Sequence, residues 1–547
     1  RVASDLAFLW GNRAGEEGEE TLQGDVLLFS ANESSPYADV TPDRRAAMSR
    51  LATLFHLTHE LPYRFLVLSA GSLVRRVVSR SRIEQYSQLV TAEQEIDRDK
   101  FTGRLSEAGY LRVPLVEDPG SYAVRGSILD VWPPGSEYPV RVELLGDLVL
   151  SLKLFNPEAQ RTIREIKELW LPPAREAILD KDSAELARER VRGLCDAVDL
   201  PSTRARSLVD DVVAGRSFFG AEGMLPAYGD LDCLSSYLPS DVVILLQDPP
   251  SITSAVRDEL GRAIADEAQK GKEPHFEVSS FFQTEGEIDD WLMSKRVVAF
   301  HRTSVSGGEE ATGLSRYEQS PETTPTINAR DHGDLERAIA EARSRKGKSA
   351  ALDPLVRRVF AWQTAGLQVI IAARAETQAE RVVALLRHRG LECHAKLGAF
   401  DTKWLGTPQA DRAALIVTGS LSQGVVLPSE GLVLVTEEEI FGRRAKRRAQ
   451  KASASAAARP FVEDLRALQV GDLVVHVEHG VGRYQGLVHK QISGMTVDLL
   501  VVEYSGGDRL YLPVYRLNQI QKHSGGEGDP KLDRLGGQTF SKTKSKV

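Results

Sequence analysis

Residues 125–145 read Arg-Gly-Ser-Ile-Leu-Asp-Val-Trp-Pro-Pro-Gly-Ser-Glu-Tyr-Pro-Val-Arg-Val-Glu-Leu-Leu. At the end of this stretch Val140, Val142 and Leu144 alternate with Arg141, Glu143 and Leu145, and a period of two places the two sets on opposite faces of a strand. The wholly apolar set marks the core face, so Arg141 points away from it. Turn residues stand on either side, Pro133, Pro134 and Gly135 before the strand and Gly146 and Asp147 after it. With residues 122–132 and 148–155 as its neighbours, the strand is the middle of an antiparallel meander within residues 99–173. An outward Arg beside an exposed Leu suits a protein-docking patch, since one supplies a charged fork and the other apolar area. A merely solvated strand face explains the same pattern.

On both sides of the meander the rhythm is α/β. Residues 24–30 and 64–69 are strand-like, whereas 43–57 and 72–79 are helical, the first helix carrying Ala47, Met48, Leu51, Leu54 and Phe55 at helical spacing behind Pro42 and Asp43. Residues 241–246 read as a buried strand that rejoins this unit, so residues 1–98 and 174–310 form one α/β domain interrupted by the meander. A Ser, Thr, Gly, Pro and Glu-rich stretch over 303–328 reads as a linker. Residues 329–440 make a small α/β domain, with strands at 367–373, 415–418 and 432–435 and a helix at 376–389. Residues 441–464 are a basic linker, in which Arg443, Arg444, Lys446, Arg447 and Arg448 offer a possible nucleic-acid contact beside the alternative of a solvated charge run. Residues 465–530 carry hairpin turns at 493–494 and 505–508 and suit a small β-barrel of four or five strands. A basic tail, 531–547, follows.

Composition narrows the function classes. The chain has 547 residues, enough for three to five domains at ~100 to 200 residues each. A net charge of −8 supplies no global field for nucleic acid or acidic membrane. Its three cysteines, Cys195, Cys233 and Cys393, are too scattered for a disulfide framework or a multi-thiolate site and suit a reducing, cytoplasmic setting. No apolar run approaches the ~18 to 20 residues of a membrane helix. The first residue is Arg1, which suggests a chain beginning inside a longer protein.

Catalytic signatures are missing. The only Gly-Lys-Ser, residues 347–349, lacks the first glycine of a phosphate loop, since Ala342 stands there. The strand at 241–246 leads to Asp248 and Pro249 instead of a paired acidic end able to hold magnesium. His476 and His479 converge only if the chain turns between them, and with Glu478 and His489 they make a weak case for metal. We therefore expect no catalytic residue, no metal and no cofactor in this chain.

The motif from Arg125 to Glu137, continued at residues 141–145, 154–157 and 160–162, resembles the domain shared by the excision-repair protein UvrB and transcription-repair coupling factors. The stretch from Gly471 to Tyr484, with residues 510–514, is similar to the CarD-type polymerase-interacting domain. Both in this order resemble the N-terminal part of the coupling-factor (Mfd) family. The resemblance implies a multidomain α/β and α+β chain: a UvrB-like, degenerate P-loop-type domain with an inserted UvrA-binding-type domain, a small α/β domain, and a Tudor-like terminal barrel. UvrB has intact ATPase motifs and an aromatic DNA-clamping hairpin, where this chain retains only Tyr37.

By that resemblance Arg125, Arg141 and Leu145 bind UvrA, with Leu145 standing where the family has an aromatic residue. An edge strand over Leu487, Val488, His489, Lys490, Gln491 and Ile492 binds the RNA polymerase β subunit by strand addition, although the family has an apolar residue near Lys490. The expected role is an adaptor in transcription-coupled nucleotide excision repair, monomeric and cytoplasmic, with no membrane partner. The family's ATP- and magnesium-dependent DNA translocase, and its DNA contact, belong to the longer family protein. The alternatives are a CarD-like transcription regulator and a DNA-dependent ATPase acting through the α/β units.

Overall fold

The computed structural model describes residues 1–10, 24–32, 34–38, 43–215, 220–303, 312–319, 324–346, 352–396, 400, 402–408, 412–442, 470–476, 479–492, 495–513, 520–522 and 532–534. The chain is a mixed α/β structure with several separate sheets. Its contacts divide it into two units, one of residues 1–28, 62–67 and 321–452, the other of 29–61, 68–320 and 453–547.

In the first unit five strands lie in the order Cys393–Lys396, Ala414–Thr418, Gln368–Ala373, Leu432–Thr436 and Val425–Leu427, the last antiparallel to its neighbour and the others parallel. The three strands expected from sequence form its centre. The two edge strands were not anticipated, because Cys393–Lys396 buries only Cys393 and Val425–Leu427 spans three residues. Both faces of the sheet are covered, as parallel sheets require. Helices Asp353–Thr364 and Glu376–Arg387 bring Leu355, Val359, Val382 and Leu386 to one face, while Phe8, Phe400 and Trp404 cover the other. Helix Val2–Trp10 is fastened there by Asp5, which accepts the Ser422 backbone N–H at 2.6 Å, and by the Phe8 ring stacked 5.7 Å from Phe400.

In the second unit helix Arg44–Thr58 begins at Asp43, whose carboxylate accepts the N–H groups of Arg45 and Ala46. Ala47, Met48, Leu51, Leu54 and Phe55 are buried as their spacing implies. Arg50, also buried, is neutralised by a two-pronged bond to Glu176, both contacts being 3.0 Å.

Residues 72–79, expected as a helix, instead form the end of helix Ala70–Val74 and the strand Arg76–Val78, which pairs with Leu231–Cys233. The apolar set Leu73, Val74, Val77 and Val78 fits the helical period, but the two adjacent valines favour extended backbone. The strand expected as buried at 241–246 is Val243–Gln247, paired in parallel with Arg296–Phe300. It is buried on one side only: Ile244 and Leu246 face the interior, but Leu245 is 55% exposed and Val243 43%.

The meander is a six-stranded sheet in the order Thr162–Ile166, Leu148–Phe155, Val140–Leu145, Ile128–Trp132, Ser121–Arg125 and Leu111–Arg112. Residues 122–132, read as one strand, are two. Gly126, with φ +60°, and Ser127 make a tight hairpin between Arg125 and Ile128, the left-handed glycine that two-residue turns favour. Tyr122, Leu129, Val131, Val140, Val142 and Leu144 lie buried on one face with Phe101 and Leu105 of helix Arg98–Glu107, whose Ser106 hydroxyl meets the Tyr122 hydroxyl at 2.9 Å.

The last 78 or so residues contain a second five-stranded sheet, all antiparallel, ordered Arg509–Pro513, Met495–Glu503, Gly480–Ile492, Leu473–His476 and Ile520–Lys522. Its core gathers Val474, Tyr484, Leu500, Val502, Tyr504, Leu512 and Ile520. Leu499 and Val501 are buried too, so both faces of that strand end up covered. The turn at 505–508 is present, with Gly506 and Gly507 at φ +94° and +83°. The turn at 493–494, the residues 443–448 of the basic linker, and the 347–349 segment lie outside the described residues.

Candidate protein-docking surfaces

The second face of the six-stranded sheet is not simply solvated. Register places Arg125 opposite Ile128, Asp130 between Ala123 and Arg141, and Lys153 opposite Arg141, so all these side chains share that face. Near one end it carries a small second core, where Val113 and Val116 come down on Ala123, Phe155 and Trp132. Arg141 lies against this core, its guanidinium 4.5 Å from the centre of the Phe155 ring. Its side chain is therefore only 16% exposed, although it points away from the main core as expected.

Asp130 stands at the centre of the face and is fully buried. Its carboxylate accepts from Arg141 twice, Nε to Oδ1 at 2.7 Å and Nη2 to Oδ2 at 3.0 Å, and from Arg125 Nη2 to Oδ2 at 2.5 Å. The hydrogen bonds to Asp130 raise the Arg141 pKa above its usual value, so this guanidinium is permanently charged. Arg141 Nη2 also donates to Gln160 Oε1 at 3.3 Å. Arg125 reaches outward with 45% of its side chain exposed. Beside the arginines, Glu143 accepts from Lys153 Nζ at 2.7 Å and Ser151 Oγ at 2.8 Å, and these bonds lower its carboxyl pKa. Leu145, 67% exposed, ends the strand. The extra residue Leu150 bulges out of the neighbouring strand, between the pairs Glu143 with Ser151 and Leu144 with Val149, and is itself half exposed.

The structure thus brings Arg125 and Arg141 onto one carboxylate and leaves Leu145 exposed on the same strand as Arg141. Sequence reasoning did not single out Asp130. The available signal was a carboxylate set between Leu129 and Val131, two fully buried residues, in register with Arg141. The resulting surface, two tethered guanidinium groups next to a bare Leu, can receive an acidic side chain and an apolar one together.

In the terminal sheet the residues 487–492 form the second half of strand Gly480–Ile492. On one side they pair with 495–500. On the other, strand Leu473–His476 reaches only residues 480–483, so no described strand covers the backbone edge of 487–492. A bulge at Gln485, with Gly486 at φ +108°, marks the change between the two halves. His476 and His479 do converge: their rings stack 4.7 Å apart and the His479 N–H donates to His476 Nδ1 at 3.3 Å. Among the described residues no group of three or more His, Cys, Asp or Glu is placed to hold a metal ion. No described helix is long and apolar enough to cross a membrane.

Residues 89–176 match the family model of the UvrB interaction domain, and residues 468–524 that of the CarD-like/TRCF RID domain. The whole chain aligns with the transcription-repair-coupling factor of Myxococcus xanthus at 34% identity, covering 44% of that protein. The Bacillus subtilis protein of the same name is 28% identical over the whole chain and 44% of its own length. The Escherichia coli one is 27% identical over 95% of the chain and 43% of its own length. The chain spans a little under half the length of these relatives. Matched by both family models and aligned along its whole length with the Myxococcus xanthus and Bacillus subtilis proteins, the chain is similar from end to end to part of the transcription-repair-coupling factors.

Proposed function

We propose that the chain is the adaptor portion of a coupling factor in transcription-coupled nucleotide excision repair. In this reading Arg125, Arg141 and Leu145 recruit UvrA, while the open backbone edge at 487–492 adds a strand to the β subunit of RNA polymerase. The observation that carries it is the pair of arginines gathered on buried Asp130 beside exposed Leu145, inside the segment matched to a UvrB interaction domain. The first α/β domain is taken as a degenerate P-loop-type unit of the UvrB kind, and the terminal sheet as a Tudor-like barrel.

Nucleotide chemistry is assigned to the family's ATP-driven DNA translocase, with its ATP and magnesium, outside these residues. Supporting this, Asp248 after strand Val243–Gln247 accepts the Ser251 hydroxyl at 2.8 Å and leads straight into Pro249 at a helix start. Contact with DNA phosphates through Arg443, Arg444, Lys446, Arg447 and Arg448 accompanies the longer protein. The adaptor works as a cytoplasmic monomer.

Capture of purified UvrA and of polymerase β subunit by the full chain tests the reading. Arg125→Glu should abolish UvrA capture and spare the polymerase. Val488→Pro, which removes a strand N–H, should do the reverse. Capture of neither client by the unaltered chain, or ATP turnover by it, defeats the proposal.

A further inference from the structure

We propose that Asp130 is the positioning residue of the UvrA-docking face: a buried anion that holds Arg125 and Arg141 in one fixed two-pronged array aimed at a carboxylate-bearing, partly apolar segment of the partner. The inference rests on the docking reading above and specifies its chemistry. Arg side chains lose rotamer freedom on binding, and a pre-held fork loses less. Asp130 takes the Nε and Nη2 edge of Arg141 and one Nη2 of Arg125, and Phe155 supports the Arg141 plane from below. Gln160 takes a further N–H of Arg141 Nη2, and the N–H groups of Arg141 Nη1 and of Arg125 Nε and Nη1 have no hydrogen-bond partner among the described residues and are left for an incoming acceptor. Glu143, a carboxylate on the same face, is occupied by Lys153 and Ser151. Leu145 and the bulged Leu150 supply the apolar contact.

Two arginines and one aspartate leave the array with a net charge of +1, and this gives the test its sign. Asp130→Asn keeps the shape and raises the charge to +2. Were bulk attraction the determinant, UvrA would bind the variant more tightly. Positioning requires the opposite, and we expect the UvrA dissociation constant of the full chain to rise tenfold or more at physiological salt. Adding Asp130→Asn to an Arg125→Ala, Arg141→Ala background should then change nothing further, because Asp130 acts only through those side chains. Polymerase β binding and the melting temperature report on the fold of every variant. Should Asp130→Asn fail to fold, Arg-selective NMR of the unaltered chain replaces it: slow rotation and slow Hε exchange at Arg141 are expected, and free rotation overturns the proposal. Equal or tighter UvrA binding by Asp130→Asn, or an equal further loss in the double-alanine background, also overturns it. If the double-alanine variant binds UvrA normally, the docking reading itself falls and Asp130 loses its role with it; loss there without an Asp130 effect removes Asp130 alone.

Discussion

Two buried carboxylates, Asp130 in the six-stranded sheet and Glu439 in the small α/β unit, are engaged in opposite ways. Among the described residues Glu439 accepts only from backbone donors, the N–H groups of Gly424 and Thr436, each at 2.8 Å. It locks a loop to the start of helix Glu437–Phe441 and completes a capping box with Thr436. Asp130 accepts, among the described residues, only from side chains, and one of them ends in solvent. A buried anion that satisfies backbone makes scaffold; one that satisfies long cationic side chains shapes a surface. The same division separates the sheets, since the α/β sheet is covered on both faces and the meander keeps part of one face open.

The comparison breaks first at Glu439. Replacing it by Ala strips two buried N–H groups of their acceptor and removes the capping box, which costs about 3 kcal/mol of stability. Denaturant unfolding should show that loss while UvrA affinity stays at its original value. Affinity falling in parallel would mean that scaffold and surface are not separate. Arg125→Ala is the converse: its side chain is half exposed, so the melting temperature should hardly move, but UvrA binding should weaken by about 2 kcal/mol, near thirtyfold. Titration calorimetry beside a thermal melt separates the two effects.

How much of this was legible in the sequence depends on how local the cause is. Val140, Val142 and Leu144 announce their face because alternation within one strand is enough. The three central strands of the α/β sheet were equally plain, being continuous apolar runs. Asp130 was not, because the side chains that close on its carboxylate, Arg125 and Arg141, come from the two neighbouring strands and meet it only through the register of the sheet. For the same reason the sequence offered Arg141 as a docking residue or a solvated one, but not as one resting on an aromatic ring. The exposure of Val243 and Leu245 was equally hidden, since an apolar run says nothing about whether a second layer exists to cover it. Arg141 and Leu145 stood out by alternation and Arg125 joined them by resemblance, whereas the anchor that the two arginines share became visible only in three dimensions.

A smaller effect sharpens the docking face from the outside. Leu145→Phe introduces the ring that the resemblance to coupling factors implies at this position. An aromatic contact adds about 0.5 to 1.5 kcal/mol beyond its area, so UvrA binding should tighten roughly three- to tenfold. The residue is too exposed for the change to disturb folding. A variant that binds no better would place Leu145 outside the buried contact.

The smallest effect belongs to Glu143, and its sign follows from its bonds. Lys153 and Ser151 stabilise the ionised carboxylate, so its folded pKa lies below the unfolded value of about 4.3. The folded state therefore binds the proton less readily than the unfolded one. The stabilisation is complete above the unfolded pKa and disappears as pH falls through the lower, folded one. Because the group is partly exposed, its worth is that of a surface ion pair, a few tenths of a kcal/mol. Glu143→Gln should thus be slightly less stable than the unaltered chain at pH 7, by a margin that shrinks as pH falls below the usual carboxylate range, as denaturant midpoints along a pH series would show. At pH 7 the same variant frees Lys153 and removes the negative charge beside Arg141, so UvrA should not bind it more weakly. Weaker binding would mean that the Glu143 carboxylate is itself a docking contact instead of a neighbour kept away from the arginines.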